Sequence, residues 1–157
     1  MKHTISVLVE NKPGVLARIS GLFSARGFNI DSLAVGETED PTVSRMTIVV
    51  DAKDERILEQ IIKQLRKLID TISVVDLTKK EFIHRELALI KVNFKKEDKQ
   101  RLLSLAHKYK AEVLETEENS AIVEICADSD RVKEFLEQLK NFGIRELMRT
   151  GRVAMAK

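Results

Sequence analysis

The sequence predicts an α+β chain built twice over, as two tandem β-α-β-β-α-β sandwiches. Three observations carry that prediction. Apolar residues switch between a period of 2 and a period of 3.6. The switches are marked by Pro, Gly, Asn or Asp. The same order of elements then restarts after a polar, basic stretch, so that equivalent elements lie roughly 75–85 residues apart.

In the first half, Ile5, Val7 and Val9 alternate with Thr4, Ser6 and Leu8, the pattern of a strand with two unlike faces. Asn11-Lys12-Pro13-Gly14 breaks the alternation. From Val15 the period is helical: Val15, Leu16, Ile19, Leu22 and Phe23 share one face, with Arg18 and Arg26 opposite. Gly27 is placed to stop that helix in a left-handed conformation. A second strand runs from Ile30 to Gly36, followed by a polar turn through Pro41. Met46, Ile48 and Val50 mark a third strand. Asp51, Asp54 and Glu55 read as residues that start a helix. That helix carries the stripe Ile57, Leu58, Ile61, Ile62, Leu65 and Leu68, and Ile72 with Val74 gives a fourth strand. This first domain spans residues 1–77, and the polar stretch 78–85 reads as a connector.

The second domain, residues 86–157, repeats the rhythm. Leu87, Leu89 and Lys91 to Phe94 suggest a strand; Leu102, Leu103, Leu105, Ala106 and Tyr109 suggest a helix. A hairpin turns around Glu117 to Asn119. Val132, Phe135, Leu136 and Leu139 form another helical stripe, Gly143 ends it, and Ile144 to Arg149 is the last strand. Two such copies are two ferredoxin-like sandwiches. The right-handed crossover rule puts both helices of each copy on one sheet face. The expected strand order is 4-1-3-2, with the second strand at an edge. Each half is small for an independent core, one sheet face has no helix cover, and an edge strand stays open, which together argue for self-association. Leu8 and Ala34 belong to the uncovered face.

Composition narrows the function. The chain has 157 residues, with 27 Lys plus Arg against 25 Asp plus Glu and a formal net charge of +2. That balance does not suit a protein gripping phosphate backbones, and the first and third strands carry no aromatics for base stacking, so no nucleic-acid partner is expected. One cysteine excludes an internal disulfide framework and a multi-thiolate metal site. His3, His84 and His107 stand in unrelated places without metal-ligand spacing and read as structural or surface residues. Cys126 reads as a small buried hydrophobe in a strand. No nucleophile elbow and no phosphate-cradling glycine loop is present, so no catalytic residue and no metal site is expected. No apolar run approaches the roughly 20 residues that span a bilayer, and no apolar signal region opens the chain, so a cytoplasmic protein is expected.

The turn Asn11-Lys12-Pro13-Gly14 is where binding chemistry is concentrated. Gly14 lets a ligand approach the backbone, and the helix start that follows offers unpaired N–H groups to a carboxylate. Asn11 adds a carboxamide. Asn29, after the turn at Gly27, adds another at the start of the edge strand. A side-by-side dimer through that edge carries Asn29 of one chain towards the Asn11–Gly14 turn of the other, making a site for a small zwitterion. The equivalent turn of the second half, Phe94-Lys95-Lys96-Glu97, has neither Pro nor Gly. The fold alone therefore does not demand the glycine.

At these residues the sequence resembles a known family. The stretch from Ser6 through Asn11, Pro13-Gly14 and Ile19 is similar to the amino-acid-binding ACT domain. The run Gly21-Leu22-Phe23-Ser24-Ala25-Arg26-Gly27-Phe28-Asn29-Ile30-Asp31-Ser32-Leu33, with Asp40-Pro41-Thr42 and Ser44 to Ile48, resembles the small regulatory subunits of acetolactate synthase. The resemblance implies an N-terminal ACT domain and a homodimer formed through it. It implies a catalytic large subunit as partner, activation of that subunit, and feedback inhibition by valine or another branched-chain amino acid. It implies that thiamine diphosphate, magnesium and FAD belong to the catalytic partner, with no cofactor on this chain. The ligand positions it implies are Asn11, Gly14, Val15 and Leu16 of one chain with Asn29 and Ile30 of the other. The alternatives at this point are a stand-alone amino-acid sensor acting on another enzyme or regulator, and an oligomerisation scaffold without a ligand.

Overall fold

Alternation of apolar and polar residues makes β1 (Lys2–Glu10), and it makes β3 (Val43–Asp51) opposite it. The 3.6-residue stripes make α1 (Val15–Ser24) and α2 (Glu55–Lys67), while β2 (Ile30–Glu37) and β4 (Thr71–Asp76) complete the first sheet. The strands pair antiparallel in the order β2-β3-β1-β4, the order the crossover argument predicts. Opposite residues share a face, so the register Ile5↔Ile48, Val7↔Met46 and Val7↔Val74 gathers the apolar set on one side. Val15, Ile19 and Phe23 of α1 and Leu58, Ile61 and Leu65 of α2 pack onto that side as a continuous core. Phe23 is fully buried there, and truncating such a ring to Ala costs about 3–5 kcal/mol.

The computed structural model describes residues 1–157. They divide into two units, Met1–Ile83 with Arg152–Lys157, and His84–Gly151. The second unit repeats the first: β5 (Phe82–Asn93), most of which lies in it, then α3 (Lys99–Tyr109), β6 (Glu112–Thr116), β7 (Ser120–Ala127), α4 (Ser129–Leu139) and β8 (Ile144–Arg149). Its strand order is β6-β7-β5-β8. Ala88, Ile90 and Val92 face Val123, Ile125, Phe135 and Leu139 in its core. Tyr109 lies against Phe135 with ring centroids 5.2 Å apart.

The last strand, β9 (Val153–Ala156), returns to the first unit. The Arg152 N–H donates to Ser32 Oγ at 2.8 Å, its guanidinium donates to Thr4 Oγ1 at 2.9 Å, and the Lys157 N–H donates to the Glu81 carbonyl at 3.0 Å. Thr4 and Val49, on the side of the sheet away from the helices, are buried.

Several expectations need correction. The connector is shorter than 78–85, because strand begins at Phe82. Glu86 occupies a core-facing position of β5, which hides the strand from a hydropathy pattern. It is buried because Arg149 holds both of its carboxylate oxygens, Nη2 at 2.9 Å from Oε2. Residues 152–157, kept with the second domain on sequence, group with the first unit and contain the unforeseen β9. Cys126 is exposed rather than buried, since it faces away from the helices beside Leu87. Leu16 and Ile57 lie at the edges of their stripes and are exposed. No helix is long and apolar enough to cross a membrane.

Candidate functional site

The chain leaves β1 at Glu10 and turns into α1 through residues whose backbone is tied to two neighbouring turns. The Glu10 N–H donates to the Asp70 carbonyl at 2.8 Å, and the Asn11 N–H donates to the Thr42 carbonyl at 2.7 Å. The β2–β3 turn is itself fixed by Asp40, whose carboxylate accepts from the Thr42 N–H at 2.9 Å and from its hydroxyl at 2.7 Å. Those bonds, the hydroxyl's first, hold Asp40 below the usual carboxylate range. Against this turn lies the Asn11 side chain. Its Nδ2 donates to the Pro41 carbonyl at 3.0 Å and to Glu37 Oε1 at 3.3 Å. Both amide protons are thus spent, and Oδ1 is the atom left to accept from a ligand.

Gly14 follows at φ +82°, a left-handed conformation that favours glycine, and it stands at the start of α1 with no side-chain cap. No acidic residue lies in the first turn. Two of the other three α-helices differ: Asp54 caps α2 by accepting from the Arg56 N–H, and Asp128 caps α4 by accepting from the Arg131 N–H, whereas α3, like α1, has no side-chain cap. The first-turn amides of α1 therefore lack the acceptor that an aspartate supplies elsewhere in the chain. Val15 packs its side chain into the core at 3% exposure, so only its backbone faces the turn, whereas Leu16 is exposed at 44%.

The remaining predicted residues lie at the other end of α1. Gly27 turns the chain at φ +71°. Asn29 is exposed and donates from Nδ2 to Asp31 Oδ1 at 2.8 Å, again leaving Oδ1 to accept. Ile30 is half-buried and packs against the core. A helix of 10 residues is about 15 Å long. Asn11 and Gly14 are thus brought together, while Asn29 and Ile30 are held a helix length away.

Two residues that sequence reasoning passed over stand beside Gly14. Arg18, one turn along α1, donates from Nε to Asp70 Oδ2 at 3.0 Å and from Nη2 to the same oxygen. Its third nitrogen, Nη1, lies 2.9 Å from the position a Cβ on Gly14 would take. The spacing Gly14-x-x-x-Arg18 was a readable signal, since residues four apart share a helix face. The Asp70 partnership, 52 residues away, was not. Lys12, in contrast, is engaged by Glu10 at 2.8 Å, a hydrogen bond that raises its ammonium above the ordinary value.

The second unit does not reproduce the site. At the equivalent place Phe94 is buried and a 3₁₀ turn at Lys96–Asp98 leads into α3. No group of three or more His, Cys, Asp or Glu is placed to hold a metal ion.

Comparison with known proteins divides the chain at nearly the same place in sequence, with residues 152–157 inside the second match. A family model described as the AHAS small subunit-like ACT domain matches residues 5–73, and one described as the small subunit of acetolactate synthase matches residues 85–157. A probable acetolactate synthase small subunit of Archaeoglobus fulgidus is 50% identical over 100% of this chain and 98% of its own length. The acetolactate synthase small subunit of Mycobacterium leprae is 47% identical over 99% of this chain and 91% of its own. The crystal structure of the acetolactate synthase small subunit from Thermotoga maritima superimposes with a TM-score of 0.90 at 40% identity, covering 100% of this chain and 98% of that one.

Proposed function

The chain belongs to the family of acetolactate synthase small subunits, and from that premise we propose that it binds the catalytic large subunit, raises its activity and makes it sensitive to valine. The chemistry and its cofactors, thiamine diphosphate, magnesium and FAD, reside on the large subunit in this reading. The small subunit supplies a sensor.

The observation that carries the reading is the uncapped start of α1 beside the Asn11 carboxamide oxygen. A valine carboxylate meets first-turn N–H groups there, and its ammonium meets amide oxygens, so both charged ends are paired. Leu16, exposed at the same end, offers apolar contact to the isopropyl group. Asn29 and Ile30 come from a second copy. β2 pairs only with β3, so its outer edge is open. Two copies joined antiparallel through that edge bring each chain's Asn29 towards the other's Asn11 turn, in a two-fold arrangement that yields one site per chain. Inhibition is then a linkage effect: valine shifts the complex by its differential affinity for two arrangements of the regulatory dimer and no further.

The test is calorimetric titration of the full chain, alone and with its large subunit, with valine and with leucine, isoleucine and alanine as controls. Saturable valine binding near one site per chain, together with valine inhibition of the assembled enzyme, is the expected result. Absence of heat and of inhibition in the assembled enzyme overturns the sensor.

A further inference from the structure

We propose that Arg18, held in place by Asp70, is the residue that grips the α-carboxylate of the effector, so that the site distinguishes an amino acid from its amide. The inference rests on the effector-site reading above and deepens it.

The Arg18 guanidinium is divided between two tasks. Nε and Nη2 both donate to one oxygen of Asp70, whose side chain is only 12% exposed. Asp70 is itself fixed, because its carbonyl accepts from the Glu10 N–H. The planar fork is therefore oriented before any ligand arrives, and little side-chain freedom remains to be lost on binding. Nη1 makes no hydrogen bond. It lies over Gly14, in space that a side chain at that position would contest. The acids nearest in these turns are committed elsewhere: Glu10 to Lys12, and Glu37 to the Asn11 amide. A cation fixed on one side by a carboxylate and unpaired on the other calls for a second anion. An arginine nitrogen and a carboxylate oxygen form the strong, charge-assisted kind of hydrogen bond that this geometry offers. The glycine thus has a further role beyond its φ, which is to leave Nη1 uncovered.

The experiment compares valine with valinamide, which keeps the ammonium and the isopropyl group and lacks the carboxylate. Both are titrated into the full chain bound to its large subunit, with inhibition and calorimetric midpoints as readouts. The wild-type complex is expected to prefer valine strongly. Arg18→Gln is expected to weaken valine about tenfold or more and to leave valinamide nearly unchanged, so that the preference collapses. Because Arg18→Gln strands the Asp70 carboxylate, the double variant Arg18→Gln/Asp70→Asn, which leaves a neutral pair, is measured beside it. Asp70→Asn alone unties the fork and is expected to lose part of the preference. A valine-to-valinamide ratio in the Arg18 variants equal to the wild type's overturns the inference and leaves the effector site standing. A wild-type complex indifferent to valine overturns the site itself, and this inference with it.

Discussion

Substitution of Gly14 separates backbone strain from ligand chemistry. An L side chain at φ +82° costs about 1–2 kcal/mol. For a domain of 60–100 residues each kcal/mol lowers Tm by roughly 4–8 °C. The steric contact adds little to this, because the atom met at 2.9 Å is the end of a flexible arginine that can withdraw. Withdrawal matters for binding, since it moves the nitrogen assigned to the effector carboxylate. Gly14→Asp goes further, placing a carboxylate of its own beside Arg18 Nη1 and the first turn of α1. Gly14→Asn has the same shape and tolerates the left-handed region equally well, without the charge. Both variants are expected to melt below the wild type and to activate the large subunit. Gly14→Asp is expected to abolish valine inhibition, and Gly14→Asn to raise the valine midpoint less. The assay is acetolactate formation by the reconstituted enzyme across a valine series, with thermal melts of the small subunit alongside. Wild-type midpoints in Gly14→Asp would refute the reasoning. So would equal effects of Asp and Asn, which would mean that shape rather than charge governs the turn.

Two further predictions concern stability. His3 is 1% exposed and neither ring nitrogen has a hydrogen-bond partner, so His3→Leu is expected to stabilise the first unit by about 1–2 kcal/mol. A urea midpoint below the wild type's would show that the ring is better accommodated than its contacts suggest. Asp128 sits below the ordinary carboxylate value, chiefly because the Arg131 N–H donates to it. Its cap is therefore fully present above about pH 4 and is lost as pH falls through the lower folded value. Asp128→Asn keeps an acceptor that does not titrate, so thermal melts from pH 7 to pH 3 should show a flatter acid-side fall for the variant. Parallel curves would rule the cap out as a source of acid sensitivity.

The elements that were legible share one property: the face they bury is apolar. Ile5, Val7 and Val9, or Leu58, Ile61 and Leu65, reveal both their period and their side because water is excluded from a single chemistry. The start of β5 was illegible because Glu86 sits where an aliphatic residue was expected, and its charge is answered by Arg149, 63 residues later. Thr4 read as an open-face residue, and its burial with an Arg152 contact depends on a segment 148 residues away. The site divided in the same manner. Asn11, Gly14 and Asn29 stand out in the sequence as candidates because they lie where a periodic pattern breaks. Arg18 read as solvated polar surface because its placement is decided by Asp70 and not by its neighbours in the helix. Pattern recovers what local periodicity encodes; paired charges across distant turns are decided only when the chain closes.

The return of residues 152–157 to the first unit sets a timetable for biosynthesis. A ribosome emits residues 1–83 before residues 152–157, yet the first unit cannot complete its set of contacts until residues 152–157 emerge. Between Ile83 and Arg152 the whole second unit must be translated, an interval on the order of 3–14 s at ordinary elongation rates. During that interval Thr4 and Ser32 await the donors of Arg152, and the outer edge of β2 is already exposed on every nascent copy. Neighbouring nascent chains on one message therefore present that edge to one another before either is finished, and the pairing proposed above need not wait for the completed first unit.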